Sequence, residues 1–384
     1  MLINCIYNTY VGHYLSFGQK RMNSRIIKNR IKAVRWLLNG KKIDCLLVTK
    51  PANVTYTTGF SGDDSWAVIT HRCVYLLTDS RYTEQAQNEC PLCKIIERTG
   101  PITEAAAKLI KKLKTAQTIA AEKSTSLADF EAFKKAVKSR LKTVANIVEQ
   151  VRSIKDGSEI AAIKRASQIA AKALGKTLLC VKPGITENEL AGMLDLQIRK
   201  LGARNSFDTI VAFGPNASRP HHQPGNRKLK KNDTILIDFG ARYGNCCCDL
   251  TRCFAVGKPT ALYSKVYNAV QQAQAAAIKM VKAGIEISKV DAAARNIIAG
   301  YNLPVYGHGT GHGLGLEVHE EPVISHNRKG KLKAGMVCTI EPGVYMPGKL
   351  GVRIEDDVLV TETGCKILNE RKSYSVGTVP RLKR

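Results

Sequence analysis

Two related stretches of this 384-residue chain each end an apolar strand in a carboxylate. Leu229-Lys230 and the strand that leads to Asp238 reappear as Leu332-Lys333 and the strand that leads to Glu341, and a glycine follows each acid two residues later. An unpaired buried carboxylate is costly, so acids at the ends of buried strands need partners. The duplication therefore predicts a domain with an internal pseudo-twofold repeat, whose acids face a shared centre.

A second acid is expected opposite the first in each copy. If Tyr243-Gly244 forms the two-residue loop of a hairpin, Asp249 lies directly across from Asp238, with the two Cβ atoms about 5 Å apart. Two ionised carboxylates at that distance repel each other unless a cation lies between them. The first copy therefore predicts a cation-binding pair of aspartates.

The second copy repeats the arrangement with glutamates. Pairing about Gly348 brings Glu341 and Glu355 opposite each other, so that four carboxylates converge. Carboxylate oxygens combined with imidazoles suit Mn, Co, Fe or Zn, and two-metal hydrolases hold their ions roughly 3.5–4 Å apart. The four acids therefore predict a centre for divalent metal ions.

A glycine-rich segment supplies the imidazoles that such a centre needs. His308, His312 and His319 lie close together in the sequence, and glycines alternate with other residues between the first two and just beyond them. Glycines let the backbone approach a site closely, and three neighbouring histidines beside a carboxylate cluster favour a functional role. His312 is the predicted metal ligand.

The chain divides into two predicted domains and a leading segment. Helices alternate with strands over residues 24–151, which is typical of an α/β domain. A polar stretch follows, and residues 156–380 are predicted to form an α+β domain. Residues 1–23 have no basic region or cleavage site and are predicted to be an unstructured extension, with Met22 an equally suitable start and a weak export signal as the alternative.

The twelve cysteines predict reduced thiols, because a chain of this size without an export signal needs no disulfide staples. The run Cys246-Cys247-Cys248 is interpreted as small buried strand residues, since neighbouring strand residues point to opposite faces and cannot surround one ion. No apolar stretch is long enough to span a bilayer. These features together predict a cytoplasmic protein.

In these motifs the chain resembles the two-domain Xaa-Pro peptidases of family M24, the aminopeptidase P and prolidase branch of the creatinase/methionine aminopeptidase superfamily. The resemblance runs from about Ser24 to Thr378. Besides the acids and histidines above, it rests on Asn53-Val54-Thr55-Tyr56-Thr57-Thr58-Gly59-Phe60-Ser61-Gly62, Thr78-Asp79-Ser80-Arg81-Tyr82, Phe207-Asp208-Thr209-Ile210-Val211-Ala212 and Pro220-His221-His222. It implies a creatinase N-terminal-like α/β domain followed by a pita-bread catalytic domain.

The same resemblance implies a role for each site residue. The five implied metal ligands are Asp238, Asp249, His312, Glu341 and Glu355, of which Asp249 and Glu355 would bridge two ions. His221 would contact the substrate or leaving group, and His308 and His319 would act in the transition state. Arg353 would orient the carboxylates, and Glu341 would also move the proton.

The implied activity is hydrolysis of the Xaa-Pro bond at the N-terminus of peptides, with two divalent ions, Mn²⁺ first and Co²⁺, Zn²⁺ or Fe²⁺ as alternatives. Xaa-Pro dipeptidase remains open as a second activity, because both activities share every ligand. The resemblance also implies a homodimer that acts on proline-containing peptides.

The net charge of +27 raises one alternative from another class, a catalytically silent pita-bread module that binds nucleic acid. Lysines and arginines are scattered through both predicted domains, and no basic motif interleaved with aromatic residues appears. The charge is therefore interpreted as solvated surface charge, and nucleic acid is not an expected partner.

Overall fold

The computed structural model describes residues 24–113, 116–137 and 140–369. The predicted extension at residues 1–23 and the last part of the predicted second domain, residues 370–380, lie outside these ranges.

The first domain is built on one mixed six-stranded sheet with the strand order β4-β3-β2-β1-β5-β6. Strand β2 is antiparallel to β1 and β3, and the other neighbours are parallel. Its elements are α1 (Ser24–Gly40), β1 (Cys45–Val48), α2 (Pro51–Thr58), β2 (Trp66–Thr70), β3 (Val74–Thr78), α3 (Thr83–Glu89), β4 (Lys94–Glu97), α4 (Ile102–Lys112), β5 (Ile119–Glu122), α5 (Leu127–Val137), β6 (Leu141–Val144) and α6 (Ile147–Arg152).

Helices cover both faces of this sheet. Leu46 and Val48 of β1 pack into the core that α1, α2 and α6 form, whereas Cys45 and Leu47 pack into the core under α4 and α5. All four residues are buried, as expected for a central strand whose side chains alternate between two covered faces. The predicted α/β class of this domain is confirmed.

In its described residues, the second domain combines four long helices with several small sheets. Its elements are α7 (Gly157–Leu178), α8 (Glu187–Lys200), β7 (Arg204–Asn205), β8 (Ile210–Phe213), a 3₁₀ helix (Gly214–Ser218), β9 (Thr234–Phe239), β10 (Ala241–Tyr243), β11 (Cys246–Cys247), β12 (Leu250–Ala255), α9 (Ala261–Met280), α10 (Ile287–Gly300), β13 (Gly311–Gly313), β14 (Glu320–Ile324), β15 (Val337–Ile340), β16 (Gly343–Met346), β17 (Leu350–Arg353), β18 (Asp356–Val360) and β19 (Cys365–Ile367).

The predicted repeat is present in the backbone of this domain. Helices α8 and α10 each have 14 residues and follow equivalent turns. The amide of Gly184 donates to the carbonyl of Leu229 in the first half, and the amide of Gly284 donates to that of Leu332 in the second, both at 2.9 Å. Helix pairs α7–α8 and α9–α10 precede the strands of their own halves, so the domain has the duplicated α+β architecture that the sequence predicts.

The register of the first hairpin differs from the prediction. Asp238 pairs with Thr251, and Asp249 lies two residues before Thr251 in the chain. The loop is Gly244-Asn245 and not Tyr243-Gly244, because both loop residues adopt positive φ, +56° and +65°. Glycine and asparagine tolerate that conformation in a type I′ turn, whereas it strains tyrosine. Asp238 and Asp249 are therefore diagonal neighbours on one face.

The register of the second hairpin agrees with the prediction. Gly343 pairs with Arg353 in the hairpin of β16 and β17, and Ile340 pairs with Asp356 between β15 and β18. Glu341 and Glu355 lie between these two pairs, opposite each other. Pairing about Gly348 thus holds for the second copy.

Ion pairs join the two domains. Arg30 of α1 donates from Nη2 to Asp156 at 2.7 Å, and Asp156 also caps the N-terminus of α7. Arg152, at the end of α6, pairs with Glu320 of β14, to which Lys155 also donates at 2.9 Å. We propose that the boundary between the two domains lies between residues 151 and 156, because α6 ends and α7 begins around this segment. Among the described helices, none is both long and apolar enough to cross a bilayer.

Candidate metal centre

The structure brings all five predicted ligands into one cleft. Asp238 lies in β9 and Asp249 directly before β12, while Glu341 follows β15 and Glu355 lies between β17 and β18. His312 is the middle residue of β13. Together these side chains line a cavity of about 670 Å³ that reaches from the second domain to the first.

The glycines beside His312 let its strand enter a narrow space. A Cβ atom on Gly311 would lie 1.9 Å from the carbonyl oxygen of Thr339, and one on Gly313 would lie 2.2 Å from that of Glu321. Neither position can hold a larger residue without moving a neighbouring strand. The close approach predicted for this glycine-rich segment is therefore what sets His312 among the acids.

His312 turns a nitrogen without a hydrogen toward the carboxylates. Its Nδ1 lies 3.1 Å from the carbonyl oxygen of Gly313, so Nδ1 carries the hydrogen and donates it there. Its Nε2 lies 3.3 Å from Glu341 Oε1 and 3.6 Å from Asp249 Oδ2. Burial lowers the pKa of His312, which favours the neutral ring. Nitrogen and carboxylate oxygens then face one another as acceptors, an arrangement that a cation stabilises.

Several oxygens at the centre are buried without a hydrogen bond. Among the described residues, Oδ1 of Asp238, Oδ1 of Asp249 and Oε1 of Glu355 have no donor within reach. Buried polar atoms are normally satisfied, so such a group of orphaned oxygens calls for a ligand. Asp249, His312 and Glu355 also offer three ligand atoms that all lie within 4.8 Å of one another. These residues fit a divalent metal ion.

The carboxylates of the cluster disfavour one another's ionisation. Burial, reinforced by the neighbouring carboxylates, raises the pKa of Asp249 and of Glu355 well above the usual range. Burial also raises the pKa of Glu341. Cations bound at the cluster would offset this mutual repulsion and keep the acids ionised.

Arg353 connects the acids to the rest of the cleft. Its guanidinium donates to Asp238, to Thr251 Oγ1 at 3.0 Å and to the hydroxyl of Tyr345 at 2.9 Å. Thr251 in turn donates to Glu355 Oε2 at 2.7 Å. With only 3% of its surface exposed, Arg353 fixes the orientation of the carboxylates from within the protein.

The three other predicted histidines line the same cleft. His308 lies 3.0 Å from the hydroxyl of Tyr345 through Nε2, and the ring of His319 packs edge-on against that of His312 at 4.3 Å. Burial lowers the pKa of both His308 and His319, so both are neutral near pH 7. His221 is exposed to the cleft, whereas its neighbour His222 turns inward.

The sequence interpretation missed Tyr345, whose hydroxyl joins His308 to Arg353. The sequence did contain a signal for it. Side chains two residues apart on a strand point to the same face, so the alternation that runs from Glu341 through Gly343 places Tyr345 on the face of the hairpin that carries the acid. The cysteine interpretation is confirmed for burial, since Cys246, Cys247 and Cys248 are all buried, but only Cys246 and Cys247 lie in a strand.

Fold and site together define a class of protein in which a mixed α/β domain precedes a duplicated domain with an acid and imidazole metal centre. A model of the metallopeptidase family M24 matches residues 161–362, and a model of the creatinase/prolidase N-terminal domain matches residues 30–154. The chain belongs to metallopeptidase family M24, with the creatinase-type N-terminal domain.

Several relatives resemble the chain over nearly its whole length. An uncharacterized peptidase of Bacillus subtilis is 38% identical over 339 residues, which covers 87% of this chain and 96% of the relative. The structure of an Xaa-Pro dipeptidase from Bacillus anthracis is 35% identical with a TM-score of 0.86, covering 90% of this chain and 98% of that one. An X-Pro aminopeptidase from Thermotoga maritima is 37% identical with a TM-score of 0.81, covering 88% and 97%.

Proposed function

We propose that the protein is a dinuclear metal-dependent Xaa-Pro aminopeptidase, which removes the residue before proline from the N-terminus of peptides. The family membership supports a peptidase, and solved relatives described as Xaa-Pro dipeptidase and X-Pro aminopeptidase support cleavage at Xaa-Pro bonds. The proposed metal ligands are Asp238, Asp249, His312, Glu341 and Glu355.

The donor set determines which metal we propose. Carboxylates are hard ligands and a neutral imidazole is intermediate between hard and soft. A set of four carboxylates and one imidazole therefore suits Mn²⁺, with Co²⁺, Zn²⁺ and Fe²⁺ as alternatives. Divalent ions held here supply Lewis acidity, which lowers the pKa of water and stabilises negative charge on a carbonyl oxygen.

The side chains around the centre have distinct proposed roles. Glu341 accepts the proton of the attacking water and passes it toward the leaving imide nitrogen of proline. His319, with a neutral ring, donates a hydrogen bond to the oxyanion that forms at the scissile carbonyl. His308 donates its single N–H, on Nδ1, to the carbonyl of Gly309 at 2.7 Å, so its Nε2 accepts from the hydroxyl of Tyr345 and the ring lines the transition-state site without donating to the oxyanion. His221 contacts the substrate beside the leaving group, and Arg353 holds Asp238 in place for all of these steps.

The choice of aminopeptidase rests on one observation about the cleft. Each of the described lysines and arginines that line it already has a carboxylate partner: Lys50 pairs with Glu317 at 2.7 Å, Arg152 with Glu317 at 3.0 Å, and Arg353 with Asp238. The C-terminal carboxylate of a dipeptide would therefore meet no free lysine or arginine among the described residues of the cleft. A longer peptide, which continues beyond proline as a neutral amide, suits this cleft better.

The second candidate is an Xaa-Pro dipeptidase, which the relatives favour. The relatives of known structure include prolidases, such as that of Pyrococcus horikoshii at 32% identity and a TM-score of 0.83, with 90% of this chain and 99% of that chain covered. An enzyme of that kind must recognise the free carboxylate of its dipeptide.

Peptides that differ only at the C-terminus distinguish the two activities. We expect the Mn²⁺-loaded protein to hydrolyse Ala-Pro amide and Ala-Pro-Ala with a higher kcat/KM than Ala-Pro. Hydrolysis of Ala-Pro alone, abolished by amidation, would instead identify a dipeptidase. Protein stripped of metal should lose both activities and regain them with Mn²⁺, and activity that survives chelation would refute a metallopeptidase.

We further propose that the protein works in the cytoplasm as a homodimer. The reduced state expected of its cysteines supports the location, since thiols persist in that compartment. Sedimentation of the purified chain measures the oligomeric state directly.

A further inference from the structure

A basic groove lies on the first domain, on the side of the sheet that α1 covers. We define it by Lys28, Lys32, Arg35, Trp36 and Arg72, which border a concavity of about 570 Å³. No aspartate or glutamate lies among the described residues that line it. The groove differs in this respect from the catalytic cleft, which is lined by many carboxylates.

Helix α1 forms one wall of the groove. Lys28, Lys32 and Trp36 follow one another at intervals of four residues and so share one helix face, about 12 Å long. The helix contains no acidic residue. Its opposite face is apolar and packs on the sheet through residues such as Val34, which is 0% exposed. The basic face is therefore the outward face of a firmly packed helix.

Residues distant in the sequence form the other wall. Arg72 lies in the turn between β2 and β3, and the edge strand β4 borders the groove at Lys94, whose ammonium lies over the ring of Tyr75 on the opposite face of the sheet. Arg35 is oriented by its Nε–H, which donates to the carbonyl of Thr70 at 2.7 Å. Buried Ile31 and Val74 provide an apolar floor between the walls.

The cations of the groove lack acidic partners. None of the four forms an ion pair with a carboxylate of the described residues, although the protein pairs many of its other arginines and lysines. Unpaired cations around a concave surface raise the local positive potential. Their arrangement favours a ligand that carries several negative charges.

Trp36 adds a flat aromatic surface to this positive field. Its side chain is 74% exposed, whereas the second tryptophan, Trp66, is 7% exposed. An indole is a large apolar group that is usually covered, so its exposure beside several cations points to a ligand with both aromatic and anionic parts.

We propose that the basic groove binds single-stranded nucleic acid, with phosphates on the lysines and arginines and a base stacked on Trp36. Combined stacking and backbone neutralisation is how proteins hold single strands without reading a sequence. A duplex keeps its bases stacked on each other and offers no free face to the indole, and an acidic protein segment would leave the indole without a planar partner. The acidic cleft repels the same ligand, which confines it to the groove.

This inference departs from the expectation that the positive charge is dispersed. Lys28 and Arg72 lie far apart in the sequence, and only the fold places them along one groove. The inference does not depend on the peptidase activity, because no residue of the groove lines the catalytic cleft.

Binding of fluorescently labelled oligothymidylate to the full-length protein tests the proposal. We expect W36A to weaken binding about tenfold, in keeping with the removal of one stacked base. We expect K28E/K32E to weaken it further and to reduce the dependence of log affinity on log salt by about 0.7 for each phosphate that the variant no longer neutralises. Fluorescence of the wild-type protein should be quenched by the oligonucleotide, and that of W36F should change little.

Lys134 and Lys135 supply a matched control, because both are exposed on α5, on the other face of the same sheet. K134E/K135E changes the net charge by the same amount and should bind nearly as the wild type does. Equally weakened binding in both double variants would overturn the proposal in favour of a general charge effect.

Two further results would overturn the assignment of the ligand. Polyglutamate that binds as tightly as the oligonucleotide would identify an acidic protein as the partner of the groove. A dimer in sedimentation that W36A converts to a monomer would identify the groove as an interface between two copies of the chain.

Discussion

Glu187 of α8 and Asp291 of α10 each hold in place a loop that brings a histidine to the cleft. Each is a fully buried carboxylate near the N-terminus of a 14-residue helix, α8 and α10, with 0% of its surface exposed. Glu187 accepts hydrogen bonds from the amides of Phe213 and Gly225 at 2.8 and 3.1 Å and lies 2.9 Å from Nε2 of His222. It therefore anchors both ends of the loop that carries the neighbouring His221.

Asp291 anchors the loop that carries His308 in the second half. It accepts hydrogen bonds from the amide and hydroxyl of Thr310 at 3.2 and 2.7 Å. It also pairs with Arg295, which donates to the carbonyl of His308 at 2.7 Å. One buried acid thus lies behind each of the two loops that bring His221 and His308 to the cleft.

We expect E187Q and D291N to lower turnover more than metal content. Each amide replaces one acceptor by a donor, so hydrogen bonds are broken, and the unfolding free energy should fall by about 1–3 kcal/mol. Displaced histidines should reduce kcat by at least about tenfold. Kinetics, metal analysis and urea unfolding measure the three effects.

Glu189, exposed on the first turn of α8, provides the control for E187Q. Its carboxylate closes the capping box with Thr186, a role that glutamine also fills, so E189Q should retain turnover and stability. Turnover of E187Q and D291N equal to that of E189Q would contradict an anchoring role for the buried acids.

D249N should be more stable than the wild type without metal and less stable than the wild type when metal is added. In the metal-free protein, removal of one acid relieves repulsion at the cluster, so the variant should unfold at a higher temperature than the wild type at neutral pH. Mn²⁺ should raise the Tm of the wild type and have little effect on D249N. E321Q, a change at an exposed acid of the cleft, should respond to Mn²⁺ as the wild type does, and a wild-type Tm indifferent to Mn²⁺ would argue against the site.

Y345F should impair catalysis through the position of His308. The hydroxyl that joins His308 to Arg353 is removed, at a cost of about 1 kcal/mol in unfolding free energy, and kcat should fall about tenfold. Burial raises the pKa of Tyr345 to about 12, so its hydroxyl stays protonated and available for both bonds in the working pH range. Y301F removes a hydroxyl that contacts Gln272 outside the cleft and should leave kcat unchanged; equal kcat for both variants would contradict the prediction.

E159Q should change the pH dependence of stability. Burial raises the pKa of Glu159 to about 7, against about 4.3 in an unfolded chain, although Arg30 opposes the shift. Between these two values the folded protein therefore keeps this proton while the unfolded chain has released it. The stability that this group contributes is complete below about pH 4 and is lost as pH rises to about 7.

Glutamine has no such proton and preserves the capping box with Asp156. Between pH 4 and pH 8 the unfolding free energy of E159Q should therefore rise relative to that of the wild type, by about 2–3 kcal/mol. Urea unfolding at both pH values measures this difference. If the unfolding free energy of the wild type instead rose relative to that of E159Q as the pH increased, the raised pKa assigned to Glu159 would be contradicted.

The two hairpins show which strand registers the local sequence predicts correctly and which it does not. The register about Gly348 follows from the turn residues and is observed, whereas the first hairpin is shifted because Gly244-Asn245 fits a type I′ turn better than Tyr243-Gly244 does. Asp249 still reaches the cluster, since a shift of two residues keeps a side chain on the same face of a strand. The acid centre was therefore predictable even though one register was wrong.

The sequence by itself determined the two-domain α/β and α+β organisation, the repeat and the group of acids and histidines, because residue types, turn preferences and strand alternation act over short distances. Only the tertiary structure decided that Tyr345 meets His308, that Glu187 and Asp291 hold the histidine loops, and that Lys28 and Arg72 border one basic groove. Such contacts join residues on different elements, and their geometry is set by how helices and strands pack, a property that no local pattern carries.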